Sequence, residues 1–276
     1  MSRFFYLIRR HTTEHGQGWV FILPALGLIL LLGLPLLALV WRAIAPGFLG
    51  YILSPTGLAA LKLSLLTSTS SVLITILSGT PLAYILARWK FSGRNAFELL
   101  IDLPVVLPPS VAGLALLIAF GRTGVFGAWL NRIGISLPFT TFAVVVAQTF
   151  VSAPLFVRSA RVGFAGVDRQ LEEAATVEGA SDWQLFRFIM LPLAGRAFLT
   201  GVILSWTRAL GEFGATIMFA GNLEGKTQTM PLAIYLGFEN SLGVAVALSV
   251  LLVVVSIILL GVMRHLEQRS AQDIHS

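Results

Sequence analysis

Arg208 and Glu212 stand four residues apart inside an otherwise apolar run. On a helix that spacing puts both side chains on one side, within reach of each other. At about 1.5 Å per residue, Arg208 falls roughly 17 Å along a helix that begins near Ala197. A charge at such depth in a bilayer costs at least ~2.5–3.5 kcal/mol, so each of the two needs a partner or water. Two uses fit: a self-neutralising pair that clips helices together, and a polar step beside a path or gate. In the second use Arg208 attracts a passing anion and Glu212, which repels one, is no direct ligand. Thr216, one turn further on, joins the same candidate group.

Other reactive groups are sparse. Asp102 is the remaining ionisable residue near membrane depth, and no cysteine is present to serve as thiolate or metal ligand. His11 and His15 share an i, i+4 spacing but sit in a polar tail with Glu14; His265 and His275 lie at the other end. Gly225-Lys226 lacks the upstream glycine of a phosphate-binding loop, and no Gly-x-Ser-x-Gly elbow occurs. No catalytic residue, metal site or cofactor is expected. An intramembrane enzyme would need a nucleophile, aspartate pair or metal set converging within the spans.

The elements that position these groups follow from composition. Of the 276 residues, 56% are hydrophobic and 12% charged, and mean hydropathy is +0.86. Soluble domains carry about 25% charged residues, so a soluble enzyme and a disordered chain are both excluded. The expectation is a polytopic, all-α integral membrane protein. Six apolar runs stand out: Trp19 to Trp41, Leu63 to Leu86, Leu99 to Phe120, Thr141 to Val162, Phe198 to Ala220 and Val244 to Met263. Each reaches about 30 Å as a helix, the thickness of a hydrocarbon core. The first is too long for a signal-peptide core and has tryptophan at each end, so it reads as a retained span.

The net charge of +6 raises the question of nucleic acid, but the positive-inside rule accounts for it. With the N-terminus in the cytoplasm, the inner side holds Arg3, Arg9, Arg10, Arg88, Lys90, Arg94, Arg158, Arg161, Arg169, Arg187, Arg196, Arg264 and Arg269. The outer side holds only Arg42, Lys62, Arg122, Arg132 and Lys226. Both termini and the loop 163–197 are therefore expected in the cytoplasm.

Two spans carry irregular chemistry. The second contains Ser64, Thr67, Ser68, Thr69, Ser70, Ser71, Thr75, Ser78 and Thr80, then Gly79 and Pro81; a packed helix interface and a pathway lining both fit such small hydroxylated residues. The third contains Asp102, Pro104, Pro108 and Pro109, which bend or break a helix. Irregular backbone at membrane depth is tolerated only inside protein or along a cavity, so a simple anchor is disfavoured.

The cytoplasmic loop reads DRQLEEAATVEGASDWQLFRFIMLP over residues 168–192. Asp168 is placed to cap a helix whose first turn holds Glu172 and Glu173. Leu171, Ala174, Ala175 and Glu178 fall on one face. Gly179 suits the left-handed residue that stops the helix. Ser181 and Gln184 form a capping box for a second helix ending near Pro192. By pattern alone this two-helix loop is either a docking element or an amphipathic connector at the membrane surface.

The spacing Glu173-Ala174-Ala175, three residues, Gly179, nine residues, Ile189-x-Leu191-Pro192 resembles the EAA loop of binding-protein-dependent ABC importer permeases at every anchor. Further stretches are similar to the molybdate-type permeases. They are residues 79–84 with Ala87-Arg88, 103–109 with 121–124, Arg208 to Thr216 with 220–222, and Thr227 to Tyr235. Sulfate and tungstate permeases share parts of them. The likeness covers about residues 58–263.

That resemblance implies the type I ABC importer permease fold with six transmembrane helices. It implies a division into residues 1–57 (tail, first helix and outer loop), 58–263 (permease domain) and 264–276 (polar tail). Glu173, Ala174, Ala175 and Gly179 become contact or turn residues of a coupling helix, with Leu191 and Pro192 opening the next span. Cytoplasmic ABC ATPase subunits, an extracytoplasmic binding protein, a second permease copy, membrane lipid and an oxyanion cargo are the implied partners, in the inner membrane of a prokaryote. Nucleic acid is not among them.

Overall fold

A computed structural model describes residues 18–42 and 48–272. Arg3, Arg9, Arg10, His11, Glu14, His15 and His275 lie outside the described residues. Among the described residues every regular element is helical. The chain divides into two compact units, Met1–Phe48 and Leu49–Ser276. Helix α1, Gly18–Arg42, belongs to the first. It is apolar along nearly its whole length, which suits a span whose solvent is lipid.

After α1 come α2 (Phe48–Ile52), which starts at the boundary, and then, in the second unit, α3 (Pro55–Arg88), α4 (Arg94–Val106), α5 (Pro109–Phe120), α6 (Gly127–Arg132) and α7 (Thr141–Ala165). There follow α8 (Arg169–Val177), α9 (Asp182–Leu193), α10 (Gly195–Leu210), α11 (Gly214–Ala220), α12 (Met230–Asn240) and α13 (Leu242–Gln272). α1, α3, α7 and α13 are each long and apolar enough to cross a membrane. Two bent pairs, α4 with α5 at 117° and α9 with α10 at 74°, bring the total to six when each counts as one span.

The serine and threonine stripe on α3 is a packed interface. Ser64, Thr67, Ser68, Ser71 and Thr75 are fully buried, and their spacing keeps them on one face. Three of them bond across helix contacts: Thr149 Oγ1 donates to Ser71 Oγ at 3.0 Å, Trp206 Nε1 to Ser68 Oγ at 3.0 Å, and the Met230 amide to Ser64 Oγ at 2.7 Å. Hydroxyls pointing elsewhere, such as Ser70 and Ser78, donate to the carbonyl one turn back. Further along, Gly79 lets α3 approach α7 so closely that a Cβ there would meet Phe156 Cδ1 at 2.9 Å. Gly201 on α10 plays the same part against Ser159 and Phe156. Small residues thus draw α3, α7 and α10 into one core, where Ala83, Leu86, Phe156, Ala160 and Phe164 are buried.

The run Leu99 to Phe120 is broken, as its prolines lead one to expect, whereas a second break further along was not expected. α4 continues through Pro104 and stops at Val106, because Leu107 precedes Pro108 and takes an extended backbone (φ −64°, ψ 137°). Pro108 is extended as well, and Pro109 opens α5, where its missing amide costs nothing. The run Phe198 to Ala220 is also interrupted. α10 ends at Leu210, Gly211 to Phe213 form a break, and α11 begins at Gly214. At the other end, α13 runs on to Gln272, so the polar residues 264–272 continue the helix beyond its apolar stretch, which ends at Val262.

The half-helices α5 and α11 created by these breaks pack on each other. A Cβ on Gly113 would lie 2.8 Å from the Ala215 carbonyl oxygen, and one on Gly214 would lie 2.6 Å from Pro109 Cβ. With α7 they enclose a second apolar cluster containing Ala112, Leu116, Ala147, Val151, Ala215 and Phe219.

Candidate functional site: the two-helix loop and the intramembrane ion pair

The loop folds as its capping residues dictate. Asp168 accepts from the Gln170 amide at 3.0 Å and starts α8. Gly179 stops it at φ +89°. Its own amide donates to the Thr176 carbonyl at 3.0 Å, and the Ala180 amide reaches back to Ala175 at 2.9 Å. That is the complete two-bond Schellman closure, which a residue with a Cβ enters only under strain. One turn later, the Ser181 amide donates to Gln184 Oε1 at 2.8 Å and the Gln184 amide to Ser181 Oγ at 3.4 Å, so the capping box forms.

The expected face of α8 divides. Ala175 turns onto the core formed by Ala83, Phe164 and Met190. Leu171, Glu173, Ala174 and Glu178 are exposed, joined by Val177 at 88% exposure. No residue of α8 is fully buried. The exposed surface continues onto α9 through Trp183 and Phe188, while Leu185 and Met190 anchor that helix beneath. A loop that is merely a connector has no need to hold Leu171, Val177, Trp183 and Phe188 outward on a capped, rigid scaffold.

Leu191 and Pro192 form the last turn of α9 instead of opening the next span, which begins at Gly195 beyond a 74° bend. Proline explains the local geometry. Pro192 has no amide to donate, and its ring crowds the carbonyl four residues back. The preceding turn, Phe186–Met190, widens to a π-helix in which the Leu191 amide reaches the Phe186 carbonyl five residues back.

Within the bundle, Arg208 and Glu212 do pair, Nη1 to Oε2 at 2.6 Å. They pair across a helix end rather than along a continuous helix. The break at Gly211 to Phe213 frees the first amides of α11, and Glu212 Oε1 accepts the Ala215 amide at 2.7 Å. One carboxylate therefore closes the end of one helix and caps the start of the next. Glu212 is 1% exposed, whereas 34% of the Arg208 side chain remains open. Thr216 is buried, and its hydroxyl has no hydrogen-bond partner among the described residues.

Sequence reasoning missed the ion pairs between α4 and α7. Arg158 holds Asp102 through two nitrogens, at 2.6 and 2.8 Å, and Glu98 pairs with Arg161 and, at 2.9 Å, with Arg94. The signal was present as acids at i, i+4 facing arginines at i, i+3, but pairing them requires knowing that α4 lies on α7. Among the described residues no cluster of three or more metal-ligating acids and histidines occurs.

Residues 79–272 match the family described as binding-protein-dependent transport system inner membrane component. A molybdenum transport system permease protein of Mycobacterium tuberculosis is 43% identical over 253 residues, 91% of this chain and 96% of that protein. A sulfate transport system permease protein of Escherichia coli is 36% identical over 244 residues, 87% of this chain and 88% of the other. Among solved structures, a bacterial ABC transporter that imports alginate matches with a TM-score of 0.77 at 19% identity, over 97% of this chain and 99% of that one. A membrane bundle of broken helices with a capped, outward-facing loop, matched over most of its length by these permeases, belongs to the binding-protein-dependent transport system inner membrane components, the permease family of ABC importers.

Proposed function

We propose that this chain is the permease subunit through which an ATP-driven importer carries molybdate across the inner membrane of a prokaryote. The observation that carries the reading is the α8–α9 loop, whose exposed Leu171, Val177, Trp183 and Phe188 stand on a fully capped frame. Glu173, Ala174, Ala175 and Gly179 form the coupling element against a cytoplasmic ABC ATPase subunit, and Leu191 and Pro192 lead from it toward the next span. Both termini face the cytoplasm, as the arginine bias requires. One chain carries one such loop and an importer docks two ATPase subunits, so two copies of this chain form the path. An extracytoplasmic binding protein delivers the anion.

Arg208 is the member of the intramembrane group that reaches open space, and it offers a passing dianion transient attraction. Glu212 holds it from behind, and Thr216 lies in the helix that Glu212 caps. Closure of the ATPase dimer favours one arrangement of the helices over the other, and that difference in affinity drives the switch. The anion leaves chemically unchanged.

Molybdate is favoured over sulfate by the higher identity of the molybdenum permeases. The test is ATPase activity of the reconstituted complex with its binding protein loaded in turn with molybdate, tungstate and sulfate. Stimulation by molybdate and tungstate alone is the expected result. Stimulation by sulfate overturns the choice of cargo, and absence of any stimulation overturns the importer reading.

A further inference from the structure

Helix α8 is held to the rest of the chain by little. None of its residues is fully buried, and Ala175 is its one apolar contact with the core cluster. A single ion pair adds to this. Arg88, the last residue of α3, reaches Glu172 in the first turn of α8 at 2.5 Å. The same nitrogen, Nη2, donates to the Val167 carbonyl at 2.8 Å and lies 3.6 Å from Met190 Sδ. The side chains are 9% and 18% exposed, so the pair is shielded from the water and salt that weaken surface pairs.

These contacts have a topology that backbone connectivity lacks. α8 is joined covalently to α7 on one side and α9 on the other, never to α3. Arg88 is the charged tie from the 34-residue helix α3 to α8, and it also holds the segment entering α8 and touches Met190 of α9. The surroundings fix the arginine in place. Tyr84, one turn back, packs edge-on against both Phe164 and Phe186, so α3, α7 and α9 meet at a rigid aromatic joint directly before Arg88. The sequence gives Arg88 only as an inner-side cation and Glu172 only as a dipole-complementing acid; neither assignment foresees their pairing.

We infer that Arg88 is a positioning residue for energy coupling: through Glu172 and Val167 it sets the docking helix α8 on the end of α3, so that displacement of α8 is transmitted to that span. This rests on the reading of α8 as the coupling element. In it Glu173 faces outward to the partner, whereas Glu172, its neighbour, faces inward to the arginine. The two adjacent glutamates thus have different duties.

The test is a double-mutant cycle in the reconstituted complex of permease, ATPase and binding protein, with ions transported per ATP hydrolysed as the readout. The variants are Arg88→Gln, Glu172→Gln and both together. Each single change is expected to lower that ratio by roughly 2- to 30-fold, the range over which residues in a coupling network act, while the ATPase still co-purifies. The double variant is expected to be no worse than the worse single, because both changes remove one link. A ratio unchanged in Glu172→Gln, which leaves the Val167 contact untouched, overturns the inference. So do losses that multiply in the double variant. Glu173→Lys run alongside separates the two claims. If it uncouples while the cycle is flat, the Arg88 inference fails alone. If it too transports normally, the coupling-loop reading fails.

Discussion

Removal of the Glu212 carboxylate tests whether one buried acid holds a broken span together. Glu212→Leu deletes the pair with Arg208 and the cap on the Ala215 amide. Losing one partner of a buried pair costs about 3–5 kcal/mol, and the low end applies because Arg208 keeps a third of its side chain open. Loss of a helix cap adds about 1 kcal/mol, giving roughly 4 kcal/mol in all. At about 2–4 °C per kcal/mol for a chain of this size, the unfolding midpoint in detergent should fall by about 8–16 °C. Glu212→Gln keeps one acceptor oxygen for the Ala215 amide, but its NH2 is a donor and cannot accept from Arg208, so the cap stays and the pair is lost. That loss costs about 3 kcal/mol, and with the same scaling about 6–12 °C. The double variant Arg208→Met/Glu212→Leu removes both charges, leaving only the lost cap of about 1 kcal/mol. It should therefore recover most of the stability lost by Glu212→Leu. The assay is thermal unfolding followed by size exclusion of the fluorescently tagged permease. A double variant as unstable as Glu212→Leu would refute the pair argument, and a Glu212→Gln equal to Glu212→Leu would refute the cap.

Two further outcomes follow from close packing and backbone geometry. Gly79→Ala forces a Cβ to 2.9 Å from the ring of Phe156, itself wedged edge-on against Phe198 at 5.1 Å, and overpacking of this kind costs about 1–3 kcal/mol. The midpoint should drop measurably; an unchanged midpoint contradicts the α3–α7 contact. Gly179→Pro removes the amide that bonds Thr176 at φ +89°, in a place where no neighbour lies within 4 Å. Insertion and yield should stay normal while binding-protein-stimulated ATPase is lost, and normal uptake by a well-expressed variant contradicts the role of the turn.

The loop was legible almost residue by residue because its signals are local. Asp168, Gly179, Ser181 and Gln184 act on backbone groups within a few positions, so spacing alone determines the caps. Spans α1, α3, α7 and α13 were legible because hydrophobic length is a one-dimensional quantity. For the hydroxyl-rich run on α3 a packed interface was among the legible readings, but which hydroxyls face it was not, since its partners Thr149, Trp206 and Met230 lie far away in sequence. The face of α8 was misdivided for the same reason: Ala175 and Ala174 are alike in sequence, and only the core beneath distinguishes them.

The breaks show where hydropathy misleads. Leu99 to Phe120 and Phe198 to Ala220 look like uninterrupted apolar runs, but each contains a point where backbone bonding fails. In the first, Leu107-Pro108-Pro109 excludes helix for two successive residues, so the prolines locate the break and Pro104 alone does not. The second has no proline. There Gly211 and Gly214 weaken the helix on both sides of Glu212, and the acid repairs what the glycines open by accepting the Ala215 amide while holding Arg208. An i, i+4 charge pair inside a glycine-flanked apolar run therefore signals a capped interruption as well as a clip. The distinction is physical: along a continuous helix the amide of Ala215 would already be bonded, and Glu212 would have only Arg208 to satisfy.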